Sequence, residues 1–367
     1  MSYFKPTDPS TIPSLIEPVS EATSYWKESL DETKVVKEYG AINSIDINSD
    51  HDILVTSSNR LTVYEYFSLE VKKTYTASNF APLSGATFRR QDNKLIVCGS
   101  PDGLVRVWDI KNGKPMRLLG ERKNKNKQPV RKCFFMEMSQ VVAFSDDKTV
   151  KIWDIAEESI KGHLGQEFAH DDAIRAGLVV PEYSLIVSGS NDKNVKIWDA
   201  RSPLKPTQQY NHGFSVEDIT IRNMLVISVG GETIKVFDIV AGKTLKTINK
   251  AHHKIITCAC NYGSYLITGS IDGYVKVYDS SFKVATSLTY APGQVLSCAL
   301  DDKVLAVGAI DGLVSVNTFK AKTEKKSKSS KRYSKPIRYF KVETVDDSMW
   351  NEKSENRIVV RDEQDGG

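Results

Sequence analysis

The sequence predicts an all-β fold: a seven-bladed β-propeller closed by an N-terminal strand, with extended N- and C-terminal tails. Three observations lead to this prediction. A pattern of apolar strand, Gly/Asp/Asn turn and alternating strand recurs seven times. The copies follow one another at a nearly constant spacing. The last copy lacks an outer strand, which a segment near the N-terminus can supply.

The repeat is clearest in "LIVCGSPDGLVRVWDI" from Leu95, "LIVSGSNDKNVKIWDA" from Leu185 and "LITGSIDGYVKVYDS" from Leu266. Each copy has an anchor residue near its end, and these anchors are Tyr64, Trp108, Trp153, Trp198, Phe237, Tyr278 and Asn317. Successive anchors are 44, 45, 45, 39, 41 and 39 residues apart. A period of about 40–45 residues with four strands per repeat is typical of WD40 propellers.

Each copy also follows the physics of a propeller blade. In "NVKIWD", the side chains of Val195 and Ile197 point to one face of the strand and Trp198 points to the other. A small twisted sheet with two apolar faces cannot bury both alone. Packing between two neighbouring sheets around an axis buries both faces.

The ring closes through the N-terminus. The seventh copy offers strands at about 295–300, 303–308 and 313–319, and residues 33–38 are expected to complete its sheet. This closure leaves no open sheet edge in the ring. The predicted organisation is an N-terminal extension (1–32), the propeller (33–319), a basic tail (320–341) and an acidic C-terminal segment (342–367).

Composition excludes several classes of protein. The 40% apolar residues suffice for a sizeable core. The five cysteines are scattered through apolar runs without zinc-ligand spacing, which favours reduced thiols in an intracellular protein. Neither a signal peptide nor a membrane-spanning run is visible, so no membrane contact is expected. P-loop, GxGxxG and HExxH motifs are absent, and neither a cofactor nor a metal is expected.

The fourth copy contains the residue types of a catalytic triad. The seven copies resemble WD40 repeats. For the fourth copy, that resemblance implies a buried hydrogen-bonded network of His170, Ser188, Asp192 and Trp198. The fifth and sixth copies have His212 and His253 at shorter spacing. A hydrolase would need an exposed Ser on an elbow such as GxSxG, which the sequence lacks. Because the turn Asp recurs in five copies, a structural network is favoured over an active site, and no enzymatic activity is expected.

The C-terminal tail is strongly basic. Residues 320–341 contain ten basic residues and one acidic residue, a local charge of +9, whereas the whole chain carries only +4. Such a run is typical of a nuclear import signal, a phosphate-backbone contact or a solvated tail. The candidate contacts in it are Lys325, Lys326, Lys328, Lys331, Arg332, Lys335 and Arg338.

A second basic cluster lies between the second and third copies, in "GERKNKNKQPVRK". Its candidate contacts for RNA or an acidic partner are Arg122, Lys123, Lys125 and Lys127. Arg131 and Arg175 hold matching positions at the start of adjacent inner strands, so they are expected close together on the same rim. A flexible, solvated insertion is the equally weighted alternative for the loop.

Several strings resemble one family more closely than the general WD40 pattern. They include "SYWKE", "VVKEYGAINSIDI", "NHGFSVEDI", "ISVGGETIKVFD" and "APGQVLSCAL". These strings are similar to those of the U3 small nucleolar RNA-associated WD40 proteins of the UtpA subcomplex, the Utp fifteen family. The resemblance spans roughly residues 24–320.

The resemblance implies a nucleolar, hence nuclear, scaffold of the small-subunit processome that acts in ribosomal RNA transcription and pre-18S rRNA processing. The implied partners are other UtpA subunits, processome proteins, the 5′ external transcribed spacer of pre-rRNA and U3 small nucleolar RNA. It also implies a C-terminal helical domain, and no helical pattern follows residue 320. The alternative function is that of a WD40 adaptor in a ubiquitin ligase or chromatin complex.

Overall fold

The structure, a computed structural model, describes residues 30–77, 82–112, 115–120, 128–165, 167–290 and 293–319. Within these ranges, 28 strands form seven four-stranded antiparallel sheets. Each sheet contains strands of consecutive sequence except the last, which takes its fourth strand from the N-terminal end. The predicted seven-bladed propeller is confirmed.

The strands group into blades in chain order, after β1 (Leu30–Lys37), which belongs to the last blade. Blade 1 contains β2 (Ile42–Ile47), β3 (Ile53–Ser57), β4 (Arg60–Tyr64) and β5 (Val71–Thr76). Blade 2 contains β6 (Ala86–Phe88), β7 (Leu95–Gly99), β8 (Val105–Asp109) and β9 (Pro115–Leu119). Blade 3 contains β10 (Val130–Phe135), β11 (Gln140–Ser145), β12 (Val150–Asp154) and β13 (Ser159–His163). Blade 4 contains β14 (Ile174–Val180), β15 (Leu185–Ser190), β16 (Asn194–Asp199) and β17 (Gln208–Asn211), with a 3-10 helix at Pro181–Tyr183. Blade 5 contains β18 (Asp218–Arg222), β19 (Leu225–Gly230), β20 (Thr233–Asp238) and β21 (Lys243–Ile248). Blade 6 contains β22 (Ile256–Tyr262), β23 (Tyr265–Ser270), β24 (Tyr274–Tyr278) and β25 (Val284–Thr289). Blade 7 contains β26 (Val295–Leu300), β27 (Val304–Ala309), β28 (Leu313–Phe319) and β1. In the described part of the chain, no helix has the length and apolar character needed to cross a membrane.

The N-terminal strand closes the ring as predicted. Strand β1 runs antiparallel to β28, with Thr33 opposite Asn317 and Lys37 opposite Leu313. The strand begins at Leu30, before the boundary expected at residue 33, because β28 offers pairing partners as far as Phe319. Inside the sheet, the Thr33 hydroxyl donates to Oδ1 of Asn317 at 2.7 Å. The anchor of the seventh copy therefore fixes the closing strand.

The hydrophobic core lies between the blades rather than within any one of them. Among the described residues, seven apolar clusters occupy the seven interfaces between neighbouring blades. At the seam of the ring, Ile42 and Val55 of blade 1 pack with Val304 and Val316 of blade 7. The ring is thus continuous in its core as well as in its hydrogen bonding.

The first strand of each blade lines a central channel of about 540 Å³. We call the face on which these inner strands begin the upper face, and the opposite face the lower face. Across the channel, Nζ of Lys132 in blade 3 lies 3.4 Å from Oδ1 of Asp218 in blade 5. The negative charge of Asp218 raises the pKa of Lys132, so this lysine stays protonated.

The five cysteines are free, and Cys260 alone among them is not fully buried. Cys260 and Cys298 face each other from blades 6 and 7, with their sulfur atoms 3.4 Å apart. Burial raises the pKa of Cys98, Cys133 and Cys258, which keeps these thiols protonated and poorly reactive.

Candidate functional site

Blade 4 brings His170, Ser188, Asp192 and Trp198 together in one chain of hydrogen bonds. Nδ1 of His170 lies 2.8 Å from Oδ2 of Asp192, and Nε2 lies 2.8 Å from Oγ of Ser188. The indole Nε1 of Trp198 donates to the same Oγ at 2.9 Å. The network links the loop before β14, strand β15, the β15–β16 turn and strand β16.

Electrostatics hold the Asp192 carboxylate in its charged form. Burial acts to raise the pKa of Asp192. The interaction with His170 and the backbone N–H groups of Asn194 and Asp171 outweigh burial and lower the pKa to about 2. Asp192 therefore ties a turn and a loop together as a permanent acceptor.

The burial of this network determines what it can do. Ser188 is 0% exposed and His170 is 1% exposed. The Ser188 oxygen contacts His170 and accepts from Trp198, and a nucleophile must instead be open to its substrate. The arrangement therefore has the polar connections of a catalytic triad, but its geometry serves to satisfy buried polar groups.

Blade 6 has a related network, and here the histidine expected from the sequence is wrong. Nδ1 of His252, not of His253, lies 3.1 Å from Oδ2 of Asp272, and Nε2 lies 2.8 Å from Oγ1 of Thr268. His253 is exposed and contributes only its backbone N–H to Asp272. His252 lies four positions before the inner strand β22, the same offset as His170 before β14, and this position reaches the turn.

Blade 5 keeps a histidine without the acid. Nδ1 of His212 lies 2.9 Å from Oγ of Ser228, and Nε2 donates to the Gly230 carbonyl oxygen at 3.3 Å. The Tyr210 hydroxyl also donates to Ser228, and its ring stacks on the anchor Phe237 with centroids 4.5 Å apart. Burial lowers the pKa of His212 to about 4, so the ring is neutral near pH 7.

Blade 1 replaces the histidine with Glu38, which sequence reasoning missed. Glu38 lies four positions before the inner strand β2, as His170 does before β14. Its carboxylate accepts from the Tyr64 hydroxyl at 2.5 Å and from the Ser57 hydroxyl at 3.1 Å. The equal offset from the inner strand is the signal that could have identified it.

Blades 2 and 3 supply the turn acid with a strand cation. In blade 2, NH1 of Arg106 donates to Asp102 at 3.1 Å, and in blade 3 Nζ of Lys151 donates to Asp147 at 2.8 Å. Blade 2 has Cys98 in the position of Ser188, and Nε1 of Trp108 has no hydrogen-bond partner among the described residues. The turn acids of these two blades are thus paired with cationic side chains, whereas the indole N–H of Trp108 has no partner in the described chain.

The two rim arginines lie at equivalent places in adjacent blades, and each faces a carboxylate. Nε and NH2 of Arg131 donate to Asp146, at distances of 2.5–3.0 Å. NH2 of Arg175 lies 3.7 Å from Oε2 of Glu217. Both charges are therefore partly neutralised within the propeller. The other predicted contacts lie outside the described residues: Arg122, Lys123, Lys125, Lys127, Lys325, Lys326, Lys328, Lys331, Arg332, Lys335 and Arg338.

Two of the family-like strings, "NHGFSVEDI" and "GGETIKVFD", contact each other on the upper face of blade 5. A Cβ at Gly230 would lie 2.0 Å from the Ser215 carbonyl oxygen. A Cβ at Gly231 would lie 2.8 Å from the Phe214 ring. The glycine pair therefore lets the loop fold over the turn. Phe214 remains 50% exposed above it.

The repeat and the propeller correspond to known family models. Residues 27–198 match the N-terminal domain of the nucleolar protein 10-like family, which is a β-propeller domain. Residues 242–279 match the WD domain, G-beta repeat.

Relatives match over most of the chain. The U3 small nucleolar RNA-associated protein 15 homolog of Gallus gallus is 31% identical over 90% of this chain and 64% of its own length. The Bos taurus homolog is 32% identical over 99% of the chain and 70% of its own length. The Schizosaccharomyces pombe protein is 32% identical over 88% and 65%. The chain thus spans about two thirds of the length of these relatives. It belongs to the U3 small nucleolar RNA-associated protein 15 family.

Proposed function

We propose that this protein is a non-catalytic scaffold of the small-subunit processome. It acts in the nucleolus, in pre-18S rRNA processing and ribosomal RNA transcription, through contacts with proteins and pre-rRNA. The observation that carries this proposal is the match over about 90% of the chain to proteins named for their association with U3 small nucleolar RNA. Its partners are other UtpA subunits, processome proteins, the 5′ external transcribed spacer and U3 small nucleolar RNA.

The burial of the polar networks supports a scaffold over an enzyme. The residues that could perform acid–base or nucleophilic chemistry in blades 4 and 6 have their polar atoms occupied by one another. His170 and His252 are each 1% exposed. Propellers with such interiors act through their faces and loops.

The charge distribution supports an RNA contact. The basic tail, residues 320–341, carries +9, so the rest of the chain carries −5 if the total is +4. Lysine and arginine that neutralise phosphates release counterions, and this release supplies much of the affinity for nucleic acid. The sequence contains a second basic cluster between blades 2 and 3.

Co-purification with RNA crosslinking tests the proposed function. The protein, tagged at one end and isolated from growing cells, should bring down processome proteins and should crosslink to pre-rRNA upstream of 18S. Recovery of ubiquitin-ligase or chromatin subunits without pre-rRNA would instead identify the adaptor alternative and overturn the proposal.

A matched pair of deletions tests the tail. Removal of residues 320–341 should weaken RNA binding and flatten the dependence of log affinity on log salt concentration. Removal of the acidic segment, residues 342–367, is the control and should leave the slope unchanged. Equal slopes for the two deletions would exclude the tail from RNA binding.

A further inference from the structure

Tyr39 stands out on the upper face at the seam of the ring. It lies in the link from β1 to β2, and 80% of its surface is exposed. By contrast, Tyr64 and Tyr75 of the adjoining blade 1 are buried. An exposed ring has no packing role in the propeller, which leaves its purpose unexplained by the fold.

The ring is exposed on a fixed support. Glu38, the residue before it, is 6% exposed and bonds to Ser57 and Tyr64. The Glu38 N–H donates to the Gly312 carbonyl oxygen at 2.9 Å. Gly40, the residue after it, has a φ of 91°, a left-handed conformation that glycine adopts without strain. A ligand that stacks on Tyr39 would meet a loop that is already ordered.

Two cations accompany the ring. The guanidinium carbon of Arg60 lies 5.7 Å from the Tyr39 ring centroid, in cation–π contact. Arg60 and Lys37 are both exposed, and neither forms an ion pair with a carboxylate among the described residues. Their charges are therefore available to a ligand, in contrast to the paired Arg131 and Arg175.

Further cations continue along the same face. Lys148 and Lys193 occupy the turns between the second and third strands of blades 3 and 4. Both lysines are exposed, and neither forms an ion pair with a carboxylate in the described part of the chain. With Arg60, they place an unneutralised cation on the upper face of blades 1, 3 and 4.

We propose that Tyr39 and Arg60 form a stacking platform for an unpaired base of single-stranded RNA, with Lys37 placed for the adjoining phosphate. An aromatic ring combined with Arg or Lys is the chemistry that binds single strands with little sequence preference. Charged residues are depleted at the centre of protein interfaces, so two cations without carboxylate partners near the ring favour RNA phosphates over a protein partner. This inference rests on the RNA contact proposed above, and it assigns that contact to residues of the propeller itself.

The test measures binding of a fluorescein-labelled oligouridine to the full chain by anisotropy, across a series of salt concentrations. Tyr39→Ala should weaken binding about tenfold, while Tyr39→Phe, which keeps the ring, should bind as the unaltered protein does. Tyr183→Ala is the matched control, because Tyr183 is 61% exposed on the lower face. Melting temperatures should be equal throughout, since each altered side chain is exposed.

Salt dependence separates stacking from charge. Tyr39→Ala should leave the slope of log affinity against log salt unchanged, whereas Lys37→Ala should reduce it by about one unit, because Lys37 is placed for the phosphate. Ultraviolet crosslinking should also yield a uridine adduct on the Tyr39 peptide.

The outcomes are distinguishable. If the unaltered protein binds no RNA, the RNA contact of the proposed function fails, and this platform fails with it. If it binds RNA equally well with Tyr39→Ala and forms no adduct there, the platform alone is overturned. Loss of a co-purifying protein with Tyr39→Ala, at unchanged RNA affinity, would overturn it in favour of a protein contact.

Discussion

Blades 4 and 2 build the same strand register with different polar side chains. In blade 4, Asp192 pairs with His170, and Trp198 donates to Ser188. In blade 2, the turn acid pairs with a guanidinium on its own sheet, and Cys98 replaces the serine. The two blades nonetheless have the same four-stranded order and fully buried anchors. These two blades therefore pair the turn carboxylate with different side chains while keeping the same strand order.

The largest expected effect on stability comes from the ion pair between Asp102 and Arg106 in blade 2. Asp102→Ala should lower the free energy of unfolding by about 3 kcal/mol, because it leaves the Arg106 guanidinium buried without a counter-ion. Arg106 is 3% exposed, and its contact with Asp102 is 2.5 Å long. Urea denaturation at pH 7 measures the loss.

The paired substitution Asp102→Ala with Arg106→Leu is the control for this prediction. It removes both charges and should recover most of the lost stability. A single Asp102→Ala variant as stable as the unaltered protein would mean that water, not Asp102, satisfies the arginine.

Blade 5 extends the comparison with a histidine that has no acid. Burial lowers the pKa of His212 from its ordinary 6.5 to about 4. Between these two pH values the ring stays neutral in the folded protein, whereas the unfolded chain takes up a proton. The stabilisation from His212 is complete above pH 6.5 and is lost as the pH falls towards 4. By linkage, this loss amounts to about 3 kcal/mol.

The measurement compares urea denaturation at several pH values for the unaltered protein and His212→Gln. The variant should lose less stability than the unaltered protein between pH 6.5 and 4. If the free energy of unfolding changes equally with pH in the two proteins, His212 takes up its proton as readily in the folded protein as in the unfolded chain. That result would contradict the prediction.

The aspartate–histidine pair in blade 4 should matter less than the aspartate–arginine pair in blade 2. Asp192→Ala leaves the N–H groups of His170, Asp171 and Asn194 without their acceptor. The free energy of unfolding should fall by about 1–3 kcal/mol. An unchanged melting temperature, or a loss larger than that of Asp102→Ala, would reverse the ranking drawn from the two blades.

The seven blades could be predicted from the sequence, because seven anchor residues recur at the spacing of a four-stranded repeat and each marks one blade. The sequence also predicted the four residues of the blade 4 network. It misassigned His253 for His252, because the histidine that reaches the turn lies four positions before its inner strand, and the first residue of that strand is known only from the structure. Glu38 was missed for a different reason: an acid in place of a histidine has no counterpart in the repeat pattern. Tyr39 could not be found either, since exposure is a property of the folded surface.

The smallest expected effect tests the unpaired indole of blade 2. Nε1 of Trp108 has no hydrogen-bond partner in the described chain, whereas Nε1 of Trp198 donates to Ser188. Cys98 stands opposite Arg106 as Ser188 stands opposite Lys196, so a serine there would offer the missing acceptor. Cys98→Ser should raise the free energy of unfolding by about 0.5–1 kcal/mol.

The reverse substitution is its counterpart. Ser188→Cys should remove the acceptor of Trp198 and weaken the contact to His170, at a cost of about 1–2 kcal/mol. Thermal denaturation of both variants gives the comparison. If Cys98→Ser destabilises the protein instead, the hydroxyl finds no partner in blade 2. The apolar surroundings of Cys98, rather than the unpaired indole, would then govern that position.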